Sequence, residues 1–373
     1  MFLLHQTNQK QSSDAITVVF LGVGPGTCAC AVSLVQGRKH HVVLWADPAH
    51  RTIYNGIKKD GYLISIGEIK ACIHLSTCDD LGMAIACTKF IVVTIPAEGH
   101  DALLTKLAQH NLTGCVLIFI TGVFISPLAK AKLNADYIVE TPTLPFAARM
   151  QGKKVLVLGS KNRLPIGVLG QGMSSQLRGQ IASLFTMPLH WYNDTLEVSL
   201  NGVNPVIHTA TALMNTSWIE VTKGCFKFYR DGMGSPSVIK MIGKLDAEKL
   251  KIGEAYGYQL EPILMTLNKH YGTNFPDFAT FAHNSEPHNI MNMAPATMKH
   301  RYITQDVKCS LVFLHELGHV AGVETPIIKL FIDLASSIND DNYLKTGRTL
   351  EKLGMKGASK QEILQAFGAK HTI

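Results

Sequence analysis

Ile16-Thr17-Val18-Val19-Phe20-Leu21 runs straight into Gly22-Val23-Gly24-Pro25-Gly26-Thr27. An apolar, β-branched run that ends in a glycine turn opens a dinucleotide-binding unit. The strand carries the chain into the middle of a sheet, and the glycines let the turn pass close to a pyrophosphate. The following helix, Cys28 to about Gln36, offers its N-terminal N–H groups and positive dipole end to that anion. The third glycine of the G-x-G-x-x-G pattern is replaced by Thr27. A second strand, Val42-Val43-Leu44-Trp45, arrives at the spacing a βαβ unit needs. The bland alternative is a glycine-rich turn that binds nothing. An acidic residue at the end of the second strand would hold the ribose hydroxyls, and Ala46 or Asp47 occupies that place. Asp47 favours NAD, whereas Arg51 could receive a 2′-phosphate, so the choice between NAD and NADP stays open.

Working outward, the first half alternates strands and helices. Strands are expected at Tyr62–Ile66, Phe90–Pro96, Cys115–Ile120, Tyr137–Glu140 and Lys154–Leu158, with a helix over His100–His110. This alternation predicts a parallel sheet covered on both faces, with ligands beyond the carboxyl ends of its strands, where Gly22–Gly26, Pro96 and Gly122 fall. Beyond about Tyr192 helical patterns dominate: Pro205–Glu220, Pro236–Leu260, Cys309–Ala321 and Pro326–Ser337. The expected organisation is α/β: a polar tail over 1–14, a Rossmann domain over 15–192 and a mostly helical domain over 193–373, with substrate between the two.

A chain of 373 residues has room for two cores. With 46% hydrophobic and 17% charged residues it is globular rather than disordered. The net charge of +7 is spread without a dense basic block, which suits small anionic ligands at least as readily as nucleic acid, and no nucleic-acid partner is expected. Eight cysteines show no C-x-x-C pair and fit a reduced, cytoplasmic protein. No run is long enough to span a membrane, and the start is too short for a signal peptide. The oligomeric state is open, a homodimer included, and Met291-Asn292-Met293 is either contact or core.

Three groups of residues could do chemistry. Asn204-Pro205-Val206-Ile207-His208 opens a helix, with Asn204 as its cap and Pro205 at the first helical position. This sets His208 near the domain boundary, where it could move a proton. The helix end would lower its pKa, so a cationic imidazole needs a nearby carboxylate. On these residues alone, a solvent-facing histidine is the better reading. Thr304 can cap the next helix and put Asp306 in its first turn, a favourable place for an acid with or without a further role. His315-Glu316-Leu317-Gly318-His319 has the H-E-x-x-H form of a zinc hydrolase. The third ligand is missing, however: Thr325 stands where a histidine is expected. The plain reading packs Leu314, Leu317 and Ala321 inward and ends the helix at Gly322, with no metal.

These pieces together resemble the NAD(P)-dependent opine dehydrogenase family, which includes octopine and nopaline dehydrogenases. The resemblance runs from about Ile16 to Ser337. It is carried by the glycine turn, Ile95-Pro96-Ala97-Glu98-Gly99-His100, and Val139-Glu140-Thr141-Pro142-Thr143-Leu144-Pro145-Phe146-Ala147-Ala148-Arg149. It continues in Asn204–His208, Phe228-Tyr229-Arg230-Asp231-Gly232, His300-Arg301-Tyr302-Ile303-Thr304-Gln305-Asp306-Val307 and Gly322-Val323-Glu324-Thr325-Pro326. The resemblance implies reductive condensation of a 2-oxo acid with an amino acid through an imine that NAD(P)H reduces. It implies that His208 is the acid–base residue, that Asp306 orients it, and that Arg301 meets cofactor phosphates. Gly22, Gly24, Pro25, Gly26, Thr27, Asp47, Arg51 and Pro96 complete the expected cofactor site. Glu140 and Thr141 match positions that line the substrate pocket. Pro25 and Thr27 depart from the family pattern, in which Asn and glycine are common there. A 2-oxo acid reductase of the ketopantoate reductase kind is the alternative within the fold. A nucleotide-binding sensor without activity is a further one.

Overall fold

The computed structural model describes residues 15–38, 40–291 and 294–370. The expected tail over 1–14, and Asn292 and Met293, lie outside them. Twelve strands fall between Thr17 and Trp191 among these residues, and from Thr195 onward the regular elements are helical. The strands are β1 (Thr17–Leu21), β2 (His41–Trp45), β3 (Tyr62–Gly67), β4 (Ala71–His74), β5 (Ser76–Thr77) and β6 (Phe90–Val93). They continue with β7 (Val116–Ile120), β8 (Tyr137–Thr141), β9 (Phe146–Gln151), β10 (Lys154–Ser160), β11 (Leu164–Leu169) and β12 (Leu189–Trp191).

The main sheet has the order β12-β11-β8-β7-β6-β1-β2-β5. Its centre is parallel, with Val18 opposite Val42 on one side and Phe90 on the other. The strand order reverses at β1, and the crevice beyond its carboxyl end is where such sheets take ligands. One edge departs from the all-parallel expectation, because β11 runs antiparallel to β8. Tyr62–Ile66 and Lys154–Leu158 do form strands, but they build a second sheet, β4-β3-β10-β9. That sheet is closed by two hairpins, Leu63 opposite Ile73 and Leu156 opposite Arg149. The alternation of strand and helix was therefore the wrong guide for these two strands, since short turns favour antiparallel neighbours.

Strand periodicity explains how the layers divide. Val19, Leu21, Ile91, Val93, Leu117 and Phe119 share one face, in a core continuous with the helical half. Val18, Phe20, Phe90, Val92, Val116 and Ile118 share the other, against the glycine-turn helix and the second sheet. Successive side chains point to opposite faces, so a run apolar at every position is what a doubly covered strand requires. The glycine-turn helix, Pro25–Ser33, can approach the second sheet because it buries small residues, Cys28, Ala29 and Ala31, completely. Burial pushes the Cys28 and Cys30 thiols up to about 12, which suits packing and not metal or redox work.

In the helical half, Pro236–Ala255 is the long central helix, flanked by Asn204–Met214, Val312–Ala321 and Pro326–Asn339. Two caps differ from expectation. Val203 flanks the helix start, with Asn204 as its first residue, and Thr304 ends the short helix Arg301–Thr304 rather than capping the next. None of the described helices is long and apolar enough to cross a membrane.

Candidate active site

The glycine turn lies at the end of β1, tied to the end of β2 by the Gly22 N–H, which donates to the Trp45 carbonyl at 2.9 Å. Gly22 has φ +101°, and a Cβ there would lie 2.4 Å from the Ile95 side chain. Only glycine fits. A Cβ on Gly24 would meet nothing within 4 Å, so the turn is open on the side where a pyrophosphate would approach. Pro25 at the first helical position has no N–H to leave unpaired, and the first bond of the helix is Cys28 N–H to the Gly24 carbonyl, 3.0 Å. The amides of Gly26 and Thr27 are thus left for an anion. The Thr27 hydroxyl is spent inside the protein, on the Gly22 carbonyl at 2.9 Å and Thr94 at 2.6 Å. It pins the turn to the end of β6. These features fit a dinucleotide, held by the backbone of Gly22–Thr27.

Asp47 and Arg51 follow β2 as expected, and both have partners. Asp47 accepts from the Ala49 N–H and pairs with Lys106, which together hold its carboxyl below the usual range. Arg51 donates to the Ala46 carbonyl at 3.0 Å and to Asp79 at 3.2 Å. Pro96 precedes the short helical turn Ala97–Gly99 at the end of β6.

Across the cleft, the helix Asn204–Met214 presents His208, which is buried. Its Nδ1 lies 2.7 Å from Asp306 Oδ2. A carboxylate only accepts, so Nδ1 carries the hydrogen and Nε2 is left as the acceptor. The Tyr229 hydroxyl stands 3.3 Å from Nε2, and the Tyr302 ring stacks on the imidazole with centroids 3.8 Å apart. Burial is the main influence on His208 and pulls its pKa below the ordinary value, aided by Arg301 and Arg149; Asp306 pulls the other way. The resting imidazole is neutral near pH 7. Asp306 and Tyr229 both come from π-helical turns, Asp306–Leu311 and Phe228–Met233. The widened turn displaces a side chain from regular helical spacing, which is why such turns recur at functional sites.

The cleft around this pair encloses about 100 Å³. Arg149, Lys161 and Arg301 line it, and Asp306 is the one acid among the described lining residues. His300, also pulled down by burial, sits at about 4.

Glu140 and Thr141 do not line this cleft. Glu140 is fully buried, and its carboxylate accepts from the N–H groups of Phe124 at 3.0 Å and Ser126 at 2.6 Å and from the Ser199 hydroxyl at 3.1 Å. It braces the turn after β7, in which Val123 and Phe124 hold φ of 56° and 62°. Burial raises its pKa against the pull of those donors. The Thr141 hydroxyl is likewise spent, on the Thr143 carbonyl at 3.0 Å. Two further residues complete this region: Arg348, which lies outside every motif, and Gln305, which lies in the His300–Val307 stretch but has no role assigned to it. Arg348, buried, donates to the carbonyls of Gly122 at 3.2 Å, Val123, and Ala97 at 3.1 Å. Gln305 accepts from the Ala97 N–H at 3.1 Å. They tie the ends of β6 and β7 to the helical half and so hold the two walls of the cleft together.

The zinc-like string has other partners. His315 Nδ1 lies 2.7 Å from the Thr325 hydroxyl, Glu316 accepts from the Leu350 N–H, and His319 is exposed. Leu314 and Leu317 are buried, and Gly322 ends the helix with φ +70°. Among the described residues, no group of three His, Cys, Asp or Glu is placed to hold a metal.

With this geometry in place, likeness to known proteins is informative. The family model described as "NAD/NADP octopine/nopaline dehydrogenase, alpha-helical domain" matches residues 191–339. The chain is 31% identical over 358 residues to "Protein ocs" of Agrobacterium vitis, covering 94% of this chain and 98% of that one. It is 28% identical to "Opine dehydrogenase" of Arthrobacter sp. (strain 1C), covering 95% and 99%. A solved structure of octopine dehydrogenase in complex with NADH and agmatine superposes with a TM-score of 0.74 at 17% identity, covering 96% of this chain and all of that one.

Proposed function

Because this chain belongs to the NAD/NADP octopine/nopaline dehydrogenase family, we propose that His208 and Asp306 form the acid–base pair of an opine dehydrogenase. Enzymes of this family are NAD(P)-dependent oxidoreductases that reductively condense a 2-oxo acid with an amino acid. The observation that carries the assignment is the buried 2.7 Å contact between His208 and Asp306, with Nε2 turned toward Tyr229 in the cleft.

Bound NAD(P)H supplies the hydride; the protein's part is to move protons. Neutral His208 takes a proton on Nε2 from the substrate ammonium, and the freed nitrogen lone pair attacks the carbonyl carbon of the oxo acid. The resulting cation is stabilised by Asp306 through Nδ1–H, a charge-assisted hydrogen bond in a dry site. The addition leaves an ammonium nitrogen and an alkoxide, and a proton passes from that nitrogen to that oxygen to give the carbinolamine. His208 then returns its proton to the hydroxyl, which leaves as water and gives the iminium. Hydride addition to the iminium carbon yields the secondary amine, so protons and charge balance. Arg149 and Arg301, whose charges both act on His208, receive the α-carboxylates beside the reacting carbon. The resemblance to the family also assigns Arg301 to the cofactor phosphates. The glycine turn holds the pyrophosphate, with Asp47 and Arg51 at the ribose end of NAD or NADP.

The test is oxidation of NADH or NADPH with pyruvate, 2-oxoglutarate or glyoxylate and a panel of amino acids. Turnover that requires both an oxo acid and an amine is expected. Turnover with the oxo acid alone would instead indicate a simple 2-oxo acid reductase. His208→Ala is expected to remove most activity and leave cofactor affinity nearly intact.

A further inference from the structure

Lys161 follows β10 and is 8% exposed, with its backbone N–H bound to the Pro145 carbonyl at 3.0 Å. Its ammonium donates to the Tyr271 hydroxyl at 3.1 Å and lies 4.6 Å from the centre of that ring. It makes no ion pair among the described residues, within 4 Å. Glu68 is held by the Ser160 N–H at 3.0 Å and by the Ser160 hydroxyl, and it does not pair with Lys161. A buried cation without an anion is costly, because desolvation is not offset by attraction. His288 and His270 are both buried near it, and burial together with Lys161 keeps both imidazoles neutral, His288 down to about 3.

The position relative to the chemistry narrows the role. Arg149 and Arg301 line the cleft together with His208, and the proposed mechanism gives them the α-carboxylates beside the reacting carbon. The contacts that lead from His208 to Lys161 run through three rings, those of Tyr229, His288 and Tyr271. Tyr229, which touches His208, packs on His288 with ring centres 4.3 Å apart, and His288 packs on Tyr271 at 4.7 Å. A group reaching Lys161 is therefore the far end of a substrate side chain. With Glu140 consumed by the turn after β7 and Asp306 by His208, the cleft holds no free acid for a cationic side chain among the described residues.

We propose that Lys161, with the Tyr271 hydroxyl, is a specificity-determining subsite for a distal carboxylate, carried by a dicarboxylic 2-oxo acid or by an acidic amino acid. The proposal rests on the opine dehydrogenase reading for the place of the reacting carbon.

The experiment compares kcat/KM for 2-oxoglutarate against pyruvate, and for glutamate against its neutral isostere glutamine, in the wild type, Lys161→Met and Lys161→Arg. The arm that shows the preference identifies which substrate carries the distal carboxylate. Wild type is expected to favour the dicarboxylic member of one pair at least about 10-fold. Lys161→Met should lower that ratio about 10- to 100-fold, mainly through KM, the range for a charged hydrogen bond. Lys161→Arg should restore most of it. A ratio near one in both pairs in the wild type, or an equal loss for both members in Lys161→Met, would overturn the proposal. If no pair turns over, the reaction reading fails separately. The subsite is then read by titrating glutarate against butyrate into the NADH-loaded protein. Glutarate at least about 10-fold tighter, with the difference lost in Lys161→Met, upholds the subsite; equal binding refutes it.

Discussion

Asp306→Asn separates charge from shape at the centre of the cleft. The substitution keeps the volume of a side chain that is 3% exposed and removes its negative charge 2.7 Å from His208 Nδ1. In the resting enzyme the cost is small, because a neutral imidazole can still donate Nδ1–H to an amide oxygen. The cost falls on the cationic imidazole that carries the proton between ammonium and hydroxyl. A hydrogen bond to a charged group contributes about 1.5–3 kcal/mol, or roughly 10- to 150-fold in rate. If the amide turns its NH₂ toward Nδ1, the other tautomer forms, Nε2 is already protonated, and the loss is larger. The pH profile gives the sign. The Asp306 contact raises the His208 pKa against burial, so its removal lowers that pKa further. Oxidation of the opine needs the imidazole as base, and its acidic limb should move to lower pH in the variant. The step that needs the imidazolium should fail sooner as pH rises. Steady-state rates in both directions from pH 5 to 9 measure this, with cofactor affinity followed by NADH fluorescence. A rate within about twofold of wild type, or a loss confined to cofactor affinity, would refute the pairing.

Gly24→Ala should lower NADH affinity at least about 10-fold with no change in melting temperature, since a Cβ there touches no protein atom and points to the ligand side; Gly22→Ala, clashing with Ile95, should instead unfold early, and calorimetry with NADH titration separates the two. Glu140→Ala should destabilise by about 2–6 kcal/mol in urea unfolding, because the Phe124 and Ser126 N–H groups lose their acceptor, and Glu140→Gln by less. A change in substrate KM at unaltered stability would return Glu140 to the pocket. Acid should destabilise the protein below neutrality. His100, His208, His270 and His288 are all held neutral by burial, so their contribution is complete above the unfolded value near 6.5 and is lost as pH falls from there. Glu140 and Asp194, raised by burial, act with the opposite sign but are fewer. Melting temperatures at pH 7, 6 and 5 should fall in that order.

The nucleotide half was legible because its signals are local. A run apolar at every position followed by Gly22-x-Gly24 has few physical solutions, and β1, its turn and its helix follow. The second sheet was not legible. Tyr62–Ile66 and Lys154–Leu158 have the same strand texture as the central strands, and what separates them is a pairing between β3 and β10 that joins residues about ninety positions apart. No window of sequence contains that contact. The helix-start argument placed His208 at the domain boundary despite a misplaced cap, because Pro205 alone limits where the helix can begin.

Acidic residues show where sequence reasoning about a site runs out. Asp306, Glu140 and Asp47 stand in stretches that each suggest a ligand, and only contacts divide them. Asp306 faces a histidine from another helix across 98 positions and lines the cleft. Glu140 faces its own turn and is closed off by Phe124, Ser126 and Ser199. Asp47 is shared between a helical turn and Lys106. The converse holds for Lys161, which no motif singles out and which stands buried without an anion. A charge whose partner lies within the protein is explained by the fold. A buried cation that lines the cleft with only a neutral hydroxyl for a partner and no counter-anion is explained by what enters the cleft, and on that criterion Lys161 informs on the substrate more than Glu140 does.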